Sequence, residues 1–266
     1  MSSSWAIPDL RRQGFLAPAG SPHVQRAVPG LAPARVIVVA DGDVDSVAAA
    51  RATAPRSEER ERPLVIAADG GATKAESIGL IPDLIIGDGD SLADSDRDRL
   101  AALGVLVRTV PAEKDESDAE LCVLEALARG ATEITFLGAL GGPRPEHALA
   151  NLSLLAAGHG HADPPAVVIE HGLSTVRLAG RRDGDEDTTS PDIEIHGTAG
   201  DYVSLQPLSG LVRSVDGFGL RYPLRGRSLS FGETVGLSNE LSEATARIHV
   251  EGGRVLVIHT RRPEAS

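Results

Sequence analysis

The stretch Ile81-Pro82-Asp83-Leu84-Ile85-Ile86-Gly87-Asp88-Gly89-Asp90-Ser91-Leu92 sets an unbroken apolar run directly against a glycine-punctuated acidic loop. Consecutive rather than alternating apolar residues suit a strand buried on both faces, as in a parallel sheet covered by helices. The arrangement recurs on either side. Run 36–40 leads into Asp41-Gly42-Asp43, run 64–68 into Asp69-Gly70-Gly71, and run 105–110 precedes Lys114-Asp115-Glu116-Ser117-Asp118, while 134–137 and 166–169 supply two more runs. Between them Ser117-x-x-Glu120 has the spacing of a capping box, with Leu121, Leu124 and Ala128 on one helical face and Gly130 as a stop. Leu149, Leu152 and Leu155 predict a second helix, ending at Gly158. Alternation of this kind indicates an α/β domain.

Beyond the charged run 181–188, which reads as an exposed loop or linker, the pattern changes. Segments 193–195, 202–205, 246–250 and 254–258 alternate or nearly so, with Glu251-Gly252-Gly253 reading as a turn between the last two. Short strands at this spacing predict an antiparallel sandwich or partial barrel. Residues 1–33 lack any period and read as a loose arm. The expected division is therefore 34–178 and 179–266 after that arm.

The 266 residues carry a formal charge of −12, which argues against a nucleic-acid or anionic-membrane surface. A phosphorylated ligand stays compatible, because a divalent cation bridges carboxylates to phosphate oxygens. Cys122 is the single cysteine, so no intrachain disulfide or multi-cysteine zinc site is expected, and a cytoplasmic setting fits best. No apolar run approaches the ~20 residues of a membrane span, and the N-terminus shows no signal-peptide pattern.

In an open α/β sheet ligands bind outside the carboxyl ends of the strands, where the acidic segments fall. One Asp-Gly pair after a strand is ordinarily a turn, but three acidic clusters at successive strand ends exceed what turns require. Carboxylates gathered in one crevice repel each other unless a cation neutralises them, and oxygen-only ligands select a hard ion such as Mg²⁺ carrying a nucleotide. Gly70, Gly71, Gly87 and Gly89 allow close backbone approach to phosphate oxygens.

Ala68-Asp69-Gly70-Gly71-Ala72, the 81–92 stretch, Lys114-Asp115-Glu116-Ser117-Asp118, and Gly138-Ala139-Leu140-Gly141-Gly142 with Glu146-His147-Ala148-Leu149-Ala150-Asn151-Leu152 resemble, in order, the motifs of thiamine pyrophosphokinases. Tyr202-Val203-Ser204-Leu205-Gln206-Pro207-Leu208, Gly219-Leu220-Arg221-Tyr222-Pro223-Leu224 and Gly236-Leu237-Ser238-Asn239-Glu240 are similar to that family's thiamine-binding β domain. The resemblance spans about residues 35–260. It implies an α/β fold, a Rossmann-like mostly parallel sheet domain followed by an all-β antiparallel sandwich domain. It also implies attack of the thiamine hydroxyl on the β-phosphorus of ATP, with AMP leaving. By the same resemblance Asp69, Asp88, Asp90 and Asp115 would hold Mg²⁺ and the triphosphate or help deprotonate the hydroxyl. Gly42, Gly70, Gly71, Lys74, Ser91, Lys114, Asp118, Arg144 and His147 would contact ATP. Tyr222 would stack on a thiamine ring while Ser238 and Asn239 orient it, a cation on an aromatic face being a favourable pairing. A homodimer completing the site across its interface is implied as well.

Two positions depart from the family pattern. Gly89 stands where a bulky apolar residue is usual, and Gly142-Pro143-Arg144-Pro145-Glu146-His147 is one residue longer, with Glu146 in place of Asp. His159 and His161 read as a solvated loop and Cys122 as a buried small residue. Two further readings are a related pyrophosphokinase for another hydroxymethyl heterocycle such as a pterin, and an inactive nucleotide-binding scaffold.

Overall fold

The computed structural model describes residues 35–56, 62–157, 165–181 and 192–263. The expected N-terminal arm, all but the first residue of the charged run 181–188, and Gly158-His159-Gly160-His161 lie outside the described residues.

Strands β1 (Arg35–Val39), β2 (Leu64–Ala68), β3 (Leu84–Gly87), β4 (Leu106–Thr109), β5 (Glu133–Leu137) and β6 (Ala166–His171) form a parallel sheet in the order β4-β3-β2-β1-β5-β6. Helices α1 (Ser46–Thr53), α2 (Gly71–Ser77), α3 (Asp94–Ala102), α4 (Asp118–Ala128) and α5 (Pro145–Ser153) cover it. The unbroken apolar runs are explained by β1, whose alternate residues are buried in opposite directions. Val36 and Val38 pack with Leu121, Cys122, Val123 and Ala126 of α4, while Ile37 and Val39 pack with Ala48, Ala49 and Ala52 of α1. Strand β4 is the sheet edge, and Val107 and Thr109 remain exposed there.

Helix α4 follows its sequence signals. Ser117 Oγ accepts the Glu120 N–H at 3.1 Å, and Gly130 ends the run at φ +79°. Buried Glu125 accepts from Arg108 of β4 at 2.7 Å and from Arg129 at 2.7 Å, tying the helix to the sheet. The expected apolar face around Leu149 needs correction. Leu149 is 68% exposed, because Asn151 holds the inward position of α5 and its Nδ2 donates to Ala139 O at 2.9 Å. A 3₁₀ turn, Leu154–Ala156, then shifts the phase so that Leu155 is buried.

The chain turns back on β6 as antiparallel β7 (Ser174–Arg181), and the rest is antiparallel: β8 (Ile193–His196), β9 (Tyr202–Pro207), β10 (Leu211–Phe218), β11 (Leu224–Ser230), β12 (Asn239–Glu240) and β13 (Thr245–Thr260). The turn expected at Glu251-Gly252-Gly253 is absent, because β13 runs straight through it as one 16-residue strand. Its first half pairs with β8 and β10 and its second half with β7 and β9. Gly253 makes the change of partner feasible: it sits at φ +83°, and a side chain there would press on Leu211 O. The two layers enclose one core of Val203, Val212, Val215, Leu229, Ile248 and Val255 among others, which makes this part a sandwich.

Candidate active site

Three acidic side chains meet beyond the carboxyl ends of the parallel strands. Asp69 follows β2, Asp88 follows β3, and Asp118 opens α4 after β4; each contributes a carboxylate oxygen to a group within 4.8 Å of one another. Lys114 closes the group, its Nζ 3.5 Å from Asp88 Oδ2 and 3.1 Å from Asp118 Oδ1. Asp118 Oδ1 is buried, and the Lys114 ammonium is the charge it faces.

Asp69 is the deepest of the three, at 5% exposure. Its backbone takes a left-handed φ of +41°, a conformation that Asp tolerates better than most residues but that stores strain of order 1 kcal/mol. Its Oδ2 accepts the Ser91 N–H at 2.6 Å, and its own N–H donates to Ile86 O at 2.9 Å. Burial raises the Asp69 carboxyl above the ordinary range against the pull of the Ser91 amide, and repulsion from Asp118 and Asp88 adds to the rise. Burial pulls the Lys114 ammonium down, yet Asp118 and Asp88 outweigh it and leave it raised. Three clustered carboxylates, matched by a single ammonium, fit a hard divalent cation by donor chemistry.

The strand order reverses between β1 and β5, and two glycine loops interlock at that switch point. Gly42 N–H donates to Gly138 O and Asp43 N–H to Leu140 O, both at 2.9 Å. A side chain on Gly42 would meet Leu140 O at 2.5 Å. The Gly42 amide is therefore engaged within the protein. Gly70 caps α2 and Gly71 begins it, with half-buried Lys74 one turn along. Asp90 and Asp115, expected among the metal ligands, are exposed and outside the carboxylate group, where Asp118 stands instead. Asp90 N–H donates to Asp88 Oδ1 at 3.1 Å. Arg144 is exposed and donates to Glu146 Oε1 at 2.7 Å, and His147 lies exposed in the first turn of α5.

The three residues expected to contact thiamine meet in the sandwich. Asn239 Nδ2 donates to Tyr222 O at 2.7 Å and Asn239 Oδ1 accepts the Tyr222 N–H at 3.1 Å, so this amide fixes the Tyr222 backbone. Ser238 has a left-handed φ of +58°, and its N–H donates to Ser204 Oγ at 3.0 Å. Arg221 and Glu240, which the sequence reading did not single out, pair at 2.9 Å beside them. Their positions next to Tyr222 and Asn239 were the available signal.

Fold and site define a two-part protein, an α/β unit with an acidic crevice at its strand ends joined to an antiparallel sandwich. The chain belongs to the thiamin pyrophosphokinase family. Residues 56–163 match the family described as "Thiamin pyrophosphokinase, catalytic domain", and residues 192–255 match "Thiamin pyrophosphokinase, vitamin B1 binding domain". Among relatives, thiamine pyrophosphokinase from Bacillus subtilis (strain 168) is 26% identical over 200 residues, covering 75% of this chain and 88% of that protein. Thiamine pyrophosphokinase 1 from Oryza sativa subsp. japonica is 28% identical over 230 residues, covering 78% and 83%. The crystal structure of thiamine pyrophosphokinase from Bacillus subtilis superimposes with a TM-score of 0.70 at 24% identity over 86% of this chain and 100% of that one, a likeness of fold.

Proposed function

We propose that this protein is a thiamine pyrophosphokinase that moves a pyrophosphoryl group from ATP to thiamine. The observation that carries the chemistry is the Asp69, Asp88 and Asp118 group at the strand ends, with Lys114 beside it. In the reaction the thiamine hydroxyl oxygen bonds to the β-phosphorus of ATP, the bridge to the α-phosphate breaks, AMP leaves, and the hydroxyl proton is released. Transfer of this kind relies on positioning and charge neutralisation more than on a protein nucleophile.

Asp69, Asp88 and Asp118 would hold Mg²⁺, which neutralises charge on the triphosphate when bound. Asp69 is preset for this by the Ser91 amide, and Lys114 supplies a fixed positive charge within reach of phosphate oxygens. Lys74, Gly70, Gly71, Arg144 and His147 are the proposed further ATP contacts. Tyr222 and Ser238 would face thiamine, with Asn239 acting through the Tyr222 backbone.

Residues 34–178 would form the ATP-binding unit and 179–266 the thiamine-binding unit. The proposed junction falls within β7, which pairs with β6 on one side and β13 on the other. A homodimer in the cytoplasm completes this reading. Among the described residues no helix is long and apolar enough to cross a membrane. Purified protein given ATP, Mg²⁺ and thiamine is expected to release AMP and form thiamine diphosphate. Release of ADP, or turnover of a pterin alone, would overturn the assignment.

A further inference from the structure

The loop between β10 and β11 is zipped to the segment around β12 by main-chain contacts. Arg221 N–H donates to Glu240 O at 2.8 Å, Ser242 N–H donates to Gly219 O at 2.9 Å, and Leu220 bridges Leu241. On this zip lies a row of side chains. Glu240 Oε2 accepts from Arg221 Nη1 at 2.9 Å and Glu240 Oε1 accepts from Arg262 Nη2 at 2.9 Å. The Arg221 guanidinium stands 5.6 Å from the centre of the Tyr222 ring, and that of Arg262 stands 4.6 Å from the Tyr202 ring. One carboxylate thus holds two cations, each over an aromatic ring. The row is anchored from below: Arg262 N–H donates to Asp201 Oδ1 at 2.9 Å, and buried Asp201 Oδ2 meets His259 Nε2 at 3.0 Å.

An isolated exposed ion pair contributes little to stability, so this one matters for what it orients. We propose that Glu240 is a positioning residue for the cationic substrate: by clamping Arg221 and Arg262 it fixes how the Tyr222 ring is presented and offsets two positive charges beside the thiamine site. The inference rests on the thiamine reading above. Tyr222 is 60% exposed, so its packing alone does not fix the ring. Without the carboxylate, Arg221 keeps its place near the Tyr222 ring but loses the partner that fixes and neutralises it, and a thiazolium would meet two uncompensated cations.

The test is steady-state kinetics with thiamine titration by calorimetry on Glu240→Gln, Arg221→Gln and the double variant. Glu240→Gln is expected to raise KM and Kd for thiamine about tenfold, as for loss of one charge-assisted pair, with kcat within about threefold and KM for ATP unchanged. Adding Arg221→Gln should recover part of the lost thiamine binding, because it removes one of the two cations that Glu240 no longer offsets. Unchanged thiamine KM in Glu240→Gln, a fall confined to kcat, or additive effects in the double variant would overturn the proposal while leaving the thiamine assignment intact. A wild-type protein that fails to bind thiamine would instead remove that assignment and the proposal with it.

Discussion

Gly87→Ala tests how the carboxylate group is kept in place. A Cβ at Gly87 would stand 2.5 Å from Asp69 Cβ and 2.9 Å from Asp69 Cγ and Oδ1. Ordinary carbon contacts lie at about 3.5 to 4.0 Å, so the Asp69 side chain must retreat by about 1 Å. It has nowhere easy to go: its backbone is held at a left-handed φ of +41° by the bond to Ile86 O, and its Oδ2 is engaged by the Ser91 amide at 2.6 Å. Overpacking of this kind costs about 1 to 3 kcal/mol, which lowers Tm by roughly 2 to 4 °C per kcal/mol for a chain of this size. A shift of that length at a reacting centre lowers kcat by about 10²-fold. The assay is AMP release at saturating ATP, Mg²⁺ and thiamine, with thermal unfolding alongside. Gly210→Ala is the control, because nothing lies within 4 Å of its added Cβ and activity should be unchanged. If Gly87→Ala folds and keeps kcat within about threefold, Asp69 is not placed by the space that Gly87 leaves.

Asp118→Asn should cost about 10²- to 10³-fold in kcat while Asp115→Asn stays within about threefold, as read by initial rates; equal losses would return the ligand role to Asp115. Glu125→Ala strips a buried carboxylate from Arg108 and Arg129 and should destabilise by about 3 to 5 kcal/mol in urea unfolding; a cost below about 1 kcal/mol would show the cluster to be dispensable. Burial holds the His259 imidazole below its ordinary range despite Asp201. The unfolded chain therefore takes the proton first, so this contribution is full above the ordinary histidine value and is lost as pH falls below it toward the folded value. Unfolding free energies from denaturant titrations between pH 7 and 5 should fall less steeply in His259→Gln, by up to about 1.4 kcal/mol per pH unit; identical slopes would refute the linkage.

The parallel sheet was legible because burial on both faces favours apolar residues along a whole strand: β2 and β3 carry no polar side chain, and β1 and β5 depart only at Arg35, Glu133 and Thr135. The antiparallel half was legible in class but not in connection. Glu251-Gly252-Gly253 carries turn composition, yet in β13 the same glycines let one strand pass from one layer to the other. Composition reports that the backbone must do something unusual there, and only the pairing of both halves decides whether it turns or continues. Leu149 failed for a related reason. A helical period counts apolar residues, and the inward place on α5 was taken by Asn151 to reach a backbone carbonyl.

The choice between Asp115 and Asp118 separates what sequence reading supplies from what geometry adds. Both follow β4, both are acidic, and spacing from the strand does not distinguish them. Local rules nonetheless held the distinction, since Ser117 with Glu120 marks the helix start and makes Asp118 the first helical residue. That residue is held by the first turn of α4, whose Leu121 and Cys122 are locked in the core, so its carboxylate has a fixed direction. Asp115 precedes the cap on exposed irregular chain and has no such constraint. A helix N-terminus also favours negative charge, which lowers the cost of bringing Asp118 beside Asp69 and Asp88. The cap is thus both a folding signal and the device that aims the third carboxylate, and Ser117→Ala should weaken the carboxylate group as well as the helix.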